Sequence, residues 1–441
     1  MTGFLHYFLN SVDPRSMAGL LGVLPRLIAS AYMPFWIFGI LPFIRFVLPS
    51  LATWVAYVVR PELIRPRITN RSLKVEPLVS ILIAGRNESA SIGGAIDAAM
   101  NCGYGNLELI FVDDGSDDES VLVARRAVRK LGLHNSGKVR IFESPRHNGK
   151  ASALNIGLSM ARGEFIAVLD ADSTVQYGAM QHWLTPFADP DVGAVAGNVR
   201  VRNNGETLVT KLQEFEYALQ TTLGRLAFSR IGLLNIIPGA AGLFRADIIR
   251  RLGGYDSGLG DDTDMTVKLR KQGWGLDFSV DAVVWTDVPT TMKRLFRQRA
   301  RWERNLVKIR LSKHRDMFML GRYGLANAFV ALDLLFVRLT LPWLVLAGLA
   351  YITWMGGPLS APTILTDGYW LYLFWLLMKA LMARDISSTP TPARLWLVFI
   401  YPFYKLILRL VVMGASTKEL IRIGIRHPYV PDHVWMETPW W

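Results

Sequence analysis

Four short clusters in this chain of 441 residues carry side chains whose type and spacing suit chemistry. Asp113-Asp114-Gly115-Ser116 offers carboxylates that can accept hydrogen bonds from a nucleotide's base or ribose. A tight Asp-Gly turn, with Ser116 or Asp117 capping the next helix, is the structural alternative. Asp170-Ala171-Asp172 ends an apolar run. In extended chain, residues i and i+2 point to one side, so both carboxylates can face a divalent ion completed by diphosphate oxygens and water. Hard oxygen ligands select Mg2+ or Mn2+ over zinc, and a strand-end cap is the bland reading. Gly260-Asp261-Asp262-Thr263-Asp264 opens a helix that continues MTVKLRKQG. Asp262 or Asp264 could simply cap it; the chemical reading is a general base among like charges that raise its pKa. Gln298-Arg299-Ala300-Arg301-Trp302 places Gln298 three and four residues from Arg301 and Trp302, on one helical face. An Arg there can pair with phosphate and an indole can support a sugar ring; a Trp lying in a membrane interface is the alternative.

The elements that must hold these clusters alternate between strand and helix. Val79–Ala84, Leu107–Val112, Val139–Phe142 and Phe165–Leu169 read as apolar strands, with helices over Asp118–Leu131 and Ala151–Arg162. Apolar strands alternating with helices predict a parallel sheet covered on both faces. Ligands of such sheets lie at the carboxyl ends of the strands, where the first two clusters fall.

Both flanks are apolar. Met17–Val59 has room for two membrane spans, and the arginines and lysine at 60, 65, 67, 71 and 74 place the next domain in the cytoplasm. The segment is too long for a signal peptide and lacks its cleavage site. Residues 289–315 interleave ten basic residues with Met292, Leu295, Phe296, Trp302, Leu306 and Ile309, a basic amphipathic helix suited to a membrane surface. Leu325–Met355, Tyr369–Met382 and Leu395–Met413 add three or four spans, and Lys418, Arg422 and Arg426 mark a cytoplasmic tail. Composition agrees: 51% hydrophobic residues, 19% charged, and a mean hydropathy of +0.25 exclude a disordered chain and disfavour an ordinary soluble globule. The net charge of +13 suits an anionic ligand or membrane surface. Nucleic acid is disfavoured because the basic residues flank apolar spans. A single cysteine, Cys102, excludes an intramolecular disulfide.

Taken in order, DDGS, HNGKASALN at 147–155, LDADS, GDDTD and QRARW form a series. In that series and its apolar flanks the chain resembles the processive family 2 glycosyltransferases, which include hyaluronan, chitin, poly-N-acetylglucosamine and cellulose synthases. The resemblance covers residues 78–305 by motif. It implies an α/β cytoplasmic glycosyltransferase domain of GT-A type, with a Rossmann-like, mostly parallel sheet, fused to an α-helical transmembrane bundle. The expected division is residues 1–60, two N-terminal spans; 77–288, the glycosyltransferase domain; 289–318, interface helices; 319–414, three to four spans; and 415–441, a short tail.

Position by position, the resemblance implies that Glu88, Asp113, Asp114, Lys150, Asp170 and Arg301 bind the nucleotide sugar. Glu88 would lie near the uridine and Lys150 on the diphosphate. Asp170 and Asp172 are implied to hold Mg2+ or Mn2+, with Asp172 the direct ligand. Asp262 looks like the catalytic base, and Asp261 stands where many relatives carry Glu. Gly239, Gln298 and Trp302 are implied on the acceptor side, with Pro238 and Arg245 in the acceptor loop, and Thr417 and Lys418 in gating. Gly414–Lys418 departs from the Trp-Gly-Thr-Arg element of hyaluronan synthases, which weighs against that product. The implied activity is inverting, processive polymerisation of a UDP-sugar, UDP-glucose or UDP-N-acetylglucosamine. The β-linked polysaccharide would grow at the inner membrane and leave through the protein's own channel, with membrane lipid and a secretion partner as associates. The competing expectation is transfer of one sugar to a lipid acceptor.

Overall fold

The computed structural model describes residues 43–64, 76–256, 260–319, 322–356, 360–386 and 394–425. Most of the N-terminal apolar segment, with Arg65, Arg67, Arg71, Lys74 and Arg426, lies outside the described residues.

Eight strands build one sheet: β1 (Val79–Gly85), β2 (Leu107–Asp113), β3 (Val139–Glu143), β4 (Phe165–Asp170), β5 (Thr174–Val175), β6 (Val192–Val201), β7 (Gly242–Arg245) and β8 (Gly275–Thr286). Their order is β3-β2-β1-β4-β7-β6-β8-β5. The first four are the expected strands, each one residue longer at its carboxyl end, and they pair in parallel. The expected mostly parallel sheet holds in four of the seven pairings, β6 with β8 among them, and is qualified beyond β4 by antiparallel neighbours. Strand β7 runs antiparallel to both β4 and β6, and β5 antiparallel to β8, so the sheet is mixed. The cause is the route of the chain. After β6 it makes a helical excursion and re-enters the sheet at the carboxyl edge, with Gly242 beside Val168, so β7 runs backwards. That route leaves the loop containing Gly239 at the edge where the acidic clusters lie.

Alternation along the strands divides the core in two. Val79, Ile81, Ile83, Leu109 and Phe111 pack on one face; Leu82, Ala84, Ile110, Val112, Ile166 and Val168 on the other. All are buried, and each large side chain contributes roughly 1.5–3 kcal/mol. The second face continues without a break into Leu373, Leu376, Tyr401, Tyr404 and Leu408 of the C-terminal helices. The sheet half therefore shares one apolar core with the C-terminal apolar flank.

Helix Leu208–Glu216 starts on a Thr207 cap, which accepts from the Thr210 N–H at 3.2 Å. It runs through a π-helical stretch, Tyr217–Gly224, into Arg225–Arg230. The basic amphipathic helix is observed over Met292–Lys308. Leu295, Glu303 and Val307 face inward, while Lys293, Arg294, Arg297, Arg301 and Trp302 are exposed. Among the described residues, two helices are long and apolar enough to cross a membrane, Leu325–Gly348 and Leu397–Ile423. Ser360–Ile386 is long but carries Asp367, Lys379, Arg384 and Asp385, and Leu48–Val59 is apolar but short. Thr417 and Lys418 do not follow the last helix; they continue it, since Leu397–Ile425 runs through them.

Candidate active site

Three strands bring their carboxyl ends together. In register, Gly85 lies beside Asp113, and Ala84 beside Asp170. Beyond Gly85 the chain turns through Asn87, at φ 58, and returns Glu88 toward the same edge. Asp113 is buried and serves its own turn: it accepts from the Ser116 backbone N–H at 2.9 Å and from its hydroxyl at 2.5 Å. Asp114 accepts from the backbone N–H groups of Asn148 and Gly149 at 2.8 and 2.9 Å, and His147 lies 2.8 Å away. This Asp fixes the loop that delivers Lys150. The next helix is held by Asp118, which accepts from the Ser120 N–H, and not by Ser116 or Asp117.

Gly149, at φ +89, opens helix Lys150–Met160 and turns Lys150 into the cleft. Its ammonium lies 2.5 Å from Asp170 and 3.9 Å from Asp261. Burial opposes that charge, but Asp170, Asp261 and Asp262 hold the ammonium above its ordinary value. Gly239 lies against the same group: a Cβ there would sit 3.4 Å from the lysine nitrogen and 3.7 Å from Asp262. Asp261 and Asp262 begin helix Asp261–Lys271 after Gly260, at φ +87. Burial, then the charge on Asp261, push the Asp262 carboxyl up, against the Thr263 N–H and Lys150. A carboxylate made more basic in this way is a competent proton acceptor. Asp264 has a different place. It is buried, 2.6 Å from Lys313 and 2.8 Å from His314, and ties its helix to the segment after the amphipathic helix.

Asp172 is the oxygen ligand best suited to a divalent cation. Burial, then Asp170 and Glu88, push its carboxyl up to about 6. Its only side-chain donors among the described residues are the Ser173 and Thr286 hydroxyls, at 3.2 and 3.4 Å. A cation would relieve that repulsion, so the donors fit a hard metal. Among the described residues no group of three or more His, Cys, Asp or Glu could hold a metal ion.

On the amphipathic helix, Arg301 and Trp302 are exposed, and Arg301 has no side-chain partner among the described residues. Arg299, between the motif residues, is the structural member. Its guanidinium lies 4.7 Å from the Trp302 ring centre and donates to the buried Glu216 at 3.0 Å. Glu216 also accepts from the Tyr404 hydroxyl at 2.8 Å and the Lys405 ammonium at 2.9 Å. Burial pushes the Glu216 carboxyl up, but Arg299 and Lys405 draw it down to about 2. Arg245 donates to the Phe187, Asp189 and Val192 carbonyls, which makes it a brace away from the cleft.

Sequence reasoning missed three residues here: Glu216, Arg225 and Tyr255. Nη1 of Arg225 and the Tyr255 hydroxyl are buried with no partner among the described residues, as is Oε1 of Gln298. Arg225 lies in the field of Asp262, and Tyr255 in that of Asp261 and Asp262. Unpaired buried polar atoms are rare in folded chains; the two beside this acidic pair mark a place for a polar ligand. No spacing rule could have found them, because they come from separate elements.

Comparison with known proteins agrees with this geometry. Residues 77–305 match the family described as glycosyltransferase like family 2. The chain is 32% identical over 259 residues to the probable glycosyltransferase YdaM of Bacillus subtilis, covering 57% of this chain and 60% of the relative. It is 28% identical over 257 residues to the poly-beta-1,6-N-acetyl-D-glucosamine synthase of Staphylococcus epidermidis, covering 56% and 61%. The chain thus spans about three fifths of the length of these relatives. Among solved structures, the mannosyltransferase PcManGT of Pyrobaculum calidifontis, in complex with GDP-Man and Mn2+, shares the fold. Its TM-score is 0.59 at 23% identity, over 84% of this chain and 98% of that one. With the carboxylates, the lysine and the acidic helix start gathered at one sheet edge, and with the match covering more than half its length, this chain belongs to glycosyltransferase family 2 and is a glycosyltransferase.

Proposed function

We propose that the protein polymerises a UDP-sugar of the N-acetylglucosamine class into a β-linked polysaccharide at the cytoplasmic face of the inner membrane. The observation that carries this reading is Asp262, raised toward basicity beside Asp261, Lys150 and Gly239 at the sheet's carboxyl edge. The similarity to a poly-beta-1,6-N-acetyl-D-glucosamine synthase supports the donor and the polymer. Asp262 takes the proton of the acceptor hydroxyl as its oxygen bonds to the anomeric carbon. The bond from that carbon to the diphosphate oxygen breaks on the opposite face, so the configuration inverts. General-base help of this kind typically contributes about 10²–10⁴ in rate. Lys150 and Arg301 receive the departing diphosphate, Glu88 and Asp114 border the nucleoside, and Asp113 keeps the turn beneath it. Asp172 and Asp170 would hold Mg2+ or Mn2+, which supplies positive charge against the leaving group. Arg225, Tyr255 and Gln298 give their unpaired atoms to the acceptor sugar, which stacks on Trp302. The apolar helices form a multi-pass bundle through which the chain leaves, with Thr417 and Lys418 along its path.

The test is UDP release by the full chain in lipid nanodiscs across a panel of UDP-sugars, with product size read on the same samples. A long polymer from UDP-N-acetylglucosamine alone is the expected result. A single sugar on a lipid would replace this reading with non-processive transfer.

A further inference from the structure

A cleft lies where helix Leu208–Glu216 and its π-helical continuation meet the end of Ser360–Ile386 and the start of Leu397–Ile425. Phe215, Ala218 and Ala383 form an apolar floor, and Lys211, Arg384 and Arg394 stand around it. The carboxylate in its lining, Glu214, is spent on the buried Arg200 at 2.5 Å and offers these cations nothing. Lys211 and Arg384 have no side-chain partner among the described residues, and Arg394 donates to one backbone carbonyl, Asn204, at 2.8 Å. Three positive charges thus surround an apolar cleft with no carboxylate paired to Lys211, Arg384 or Arg394 among the described residues.

Beside the cleft the surface is apolar and open. Leu377 and Leu381 on one helix, and Trp396 and Phe399 on the next, are 40–56% exposed. An occupant must therefore be anionic at one end and long and apolar at the other. Guanidinium and ammonium groups bind phosphate oxygens by charge-assisted hydrogen bonds, and basic pockets between membrane helices on the cytoplasmic side suit anionic headgroups.

We propose that this cleft binds the headgroup of one anionic phospholipid from the surrounding bilayer, with its acyl chains along Leu377, Leu381 and Phe399. Lys211, Arg384 and Arg394 hold the phosphate, which seats helix Leu208–Glu216, and hence Glu216, against the membrane helices. The proposal rests on reading the apolar helices as membrane segments.

The test is native mass spectrometry of the full chain released from nanodiscs of phosphatidylcholine containing phosphatidylglycerol. Wild type should retain one phosphatidylglycerol in preference to phosphatidylcholine. Each cation near an anionic surface contributes about fivefold, so Lys211→Ala/Arg384→Ala/Arg394→Ala should lower retention on the order of 100-fold. Lys211→Ala alone, which removes no internal contact, should lower it about fivefold by the same rule. Lys293→Ala/Arg294→Ala/Arg297→Ala, on the exposed face of the amphipathic helix, should leave it unchanged. Equal retention by wild type and the cleft variants, or equal loss in the helix-face variant, would overturn the proposal. Failure of wild type to float with phosphatidylcholine vesicles would overturn the membrane reading itself.

Discussion

Replacing Glu216 by Gln should uncouple the Trp302 face of the amphipathic helix from the C-terminal apolar helices without touching the strand-end carboxylates. The side chain is 7% exposed and receives Arg299, Lys405 and Tyr404 together. Despite burial, which acts in the opposite direction, those partners take its carboxyl from 4.5 to about 2. A shift of that size corresponds to roughly 3 kcal/mol of stabilisation by the charged form at neutral pH, at 1.36 kcal/mol per unit. The sign follows from the lowered pKa: the contribution is complete above about pH 4.5 and is lost as pH falls toward 2. Gln keeps the shape but leaves the partly buried Arg299 and Lys405 without that counter-charge, a change whose cost lies below the roughly 3–5 kcal/mol typical of a fully buried pair. Melting of the detergent-solubilised protein should therefore fall by several degrees at pH 7, and the gap to wild type should close between pH 4.5 and 2. Because Arg299 lies on Trp302, turnover should drop at least tenfold while UDP affinity, measured by calorimetry, holds. A variant that melts with wild type at pH 7, or that loses UDP binding and turnover equally, would refute the reasoning.

Other substitutions separate the roles within the cleft. Asp262→Asn should lower UDP-sugar turnover by about 10²–10⁴ with UDP affinity unchanged; unchanged turnover would remove this residue as the base. Lys150→Met should raise the KM for the donor, read from initial rates, and should also loosen Asp170, so Mn2+ activation should need a higher concentration. Tyr255→Phe removes a hydroxyl with no partner among the described residues, so melting should stay within ~0.5 kcal/mol of wild type, while acceptor-dependent elongation slows. Gly260→Ala meets both a φ of +87 and the Ile309 side chain; it should destabilise the chain by ~1 kcal/mol or more, and adding Ile309→Ala should recover only the steric part.

The N-terminal half of the sheet was legible because β1, β2 and β4 are buried on both faces and read as largely apolar runs, while the half-exposed edge strand β3 still carries Val139, Ile141 and Phe142. The later strands were not. Strand β7 has four residues, and β8 alternates with Asp277, Ser279 and Asp281, so neither stands out from its surroundings. The acidic clusters were found because carboxylates at strand ends keep a fixed spacing, yet spacing could not divide their labour. Asp113 turned out to serve the turn that composition alone allowed, and Asp114 the loop before Lys150. Arg299 and Arg301 are two residues apart in the same motif, and what separates them is Glu216, 83 residues from Arg299 in the chain. Long-range partners of that kind leave no local signature.

The polar ties between the two halves bear on how the chain matures. Glu216 waits for Tyr404 and Lys405, and Glu303 waits for Arg338 and Ser416. All four partners leave the ribosome after the whole family-matched region, residues 77–305, has been made. Until Leu397–Ile425 arrives, two buried carboxylates lack part of their coordination, so the catalytic half cannot settle into its final packing. A chain cut after residue 305 would keep every motif and still lack the groups that quiet its own floor. Synthesis thus orders the events: the polar floor beneath the cleft is completed only once the last apolar helix is in place beside it.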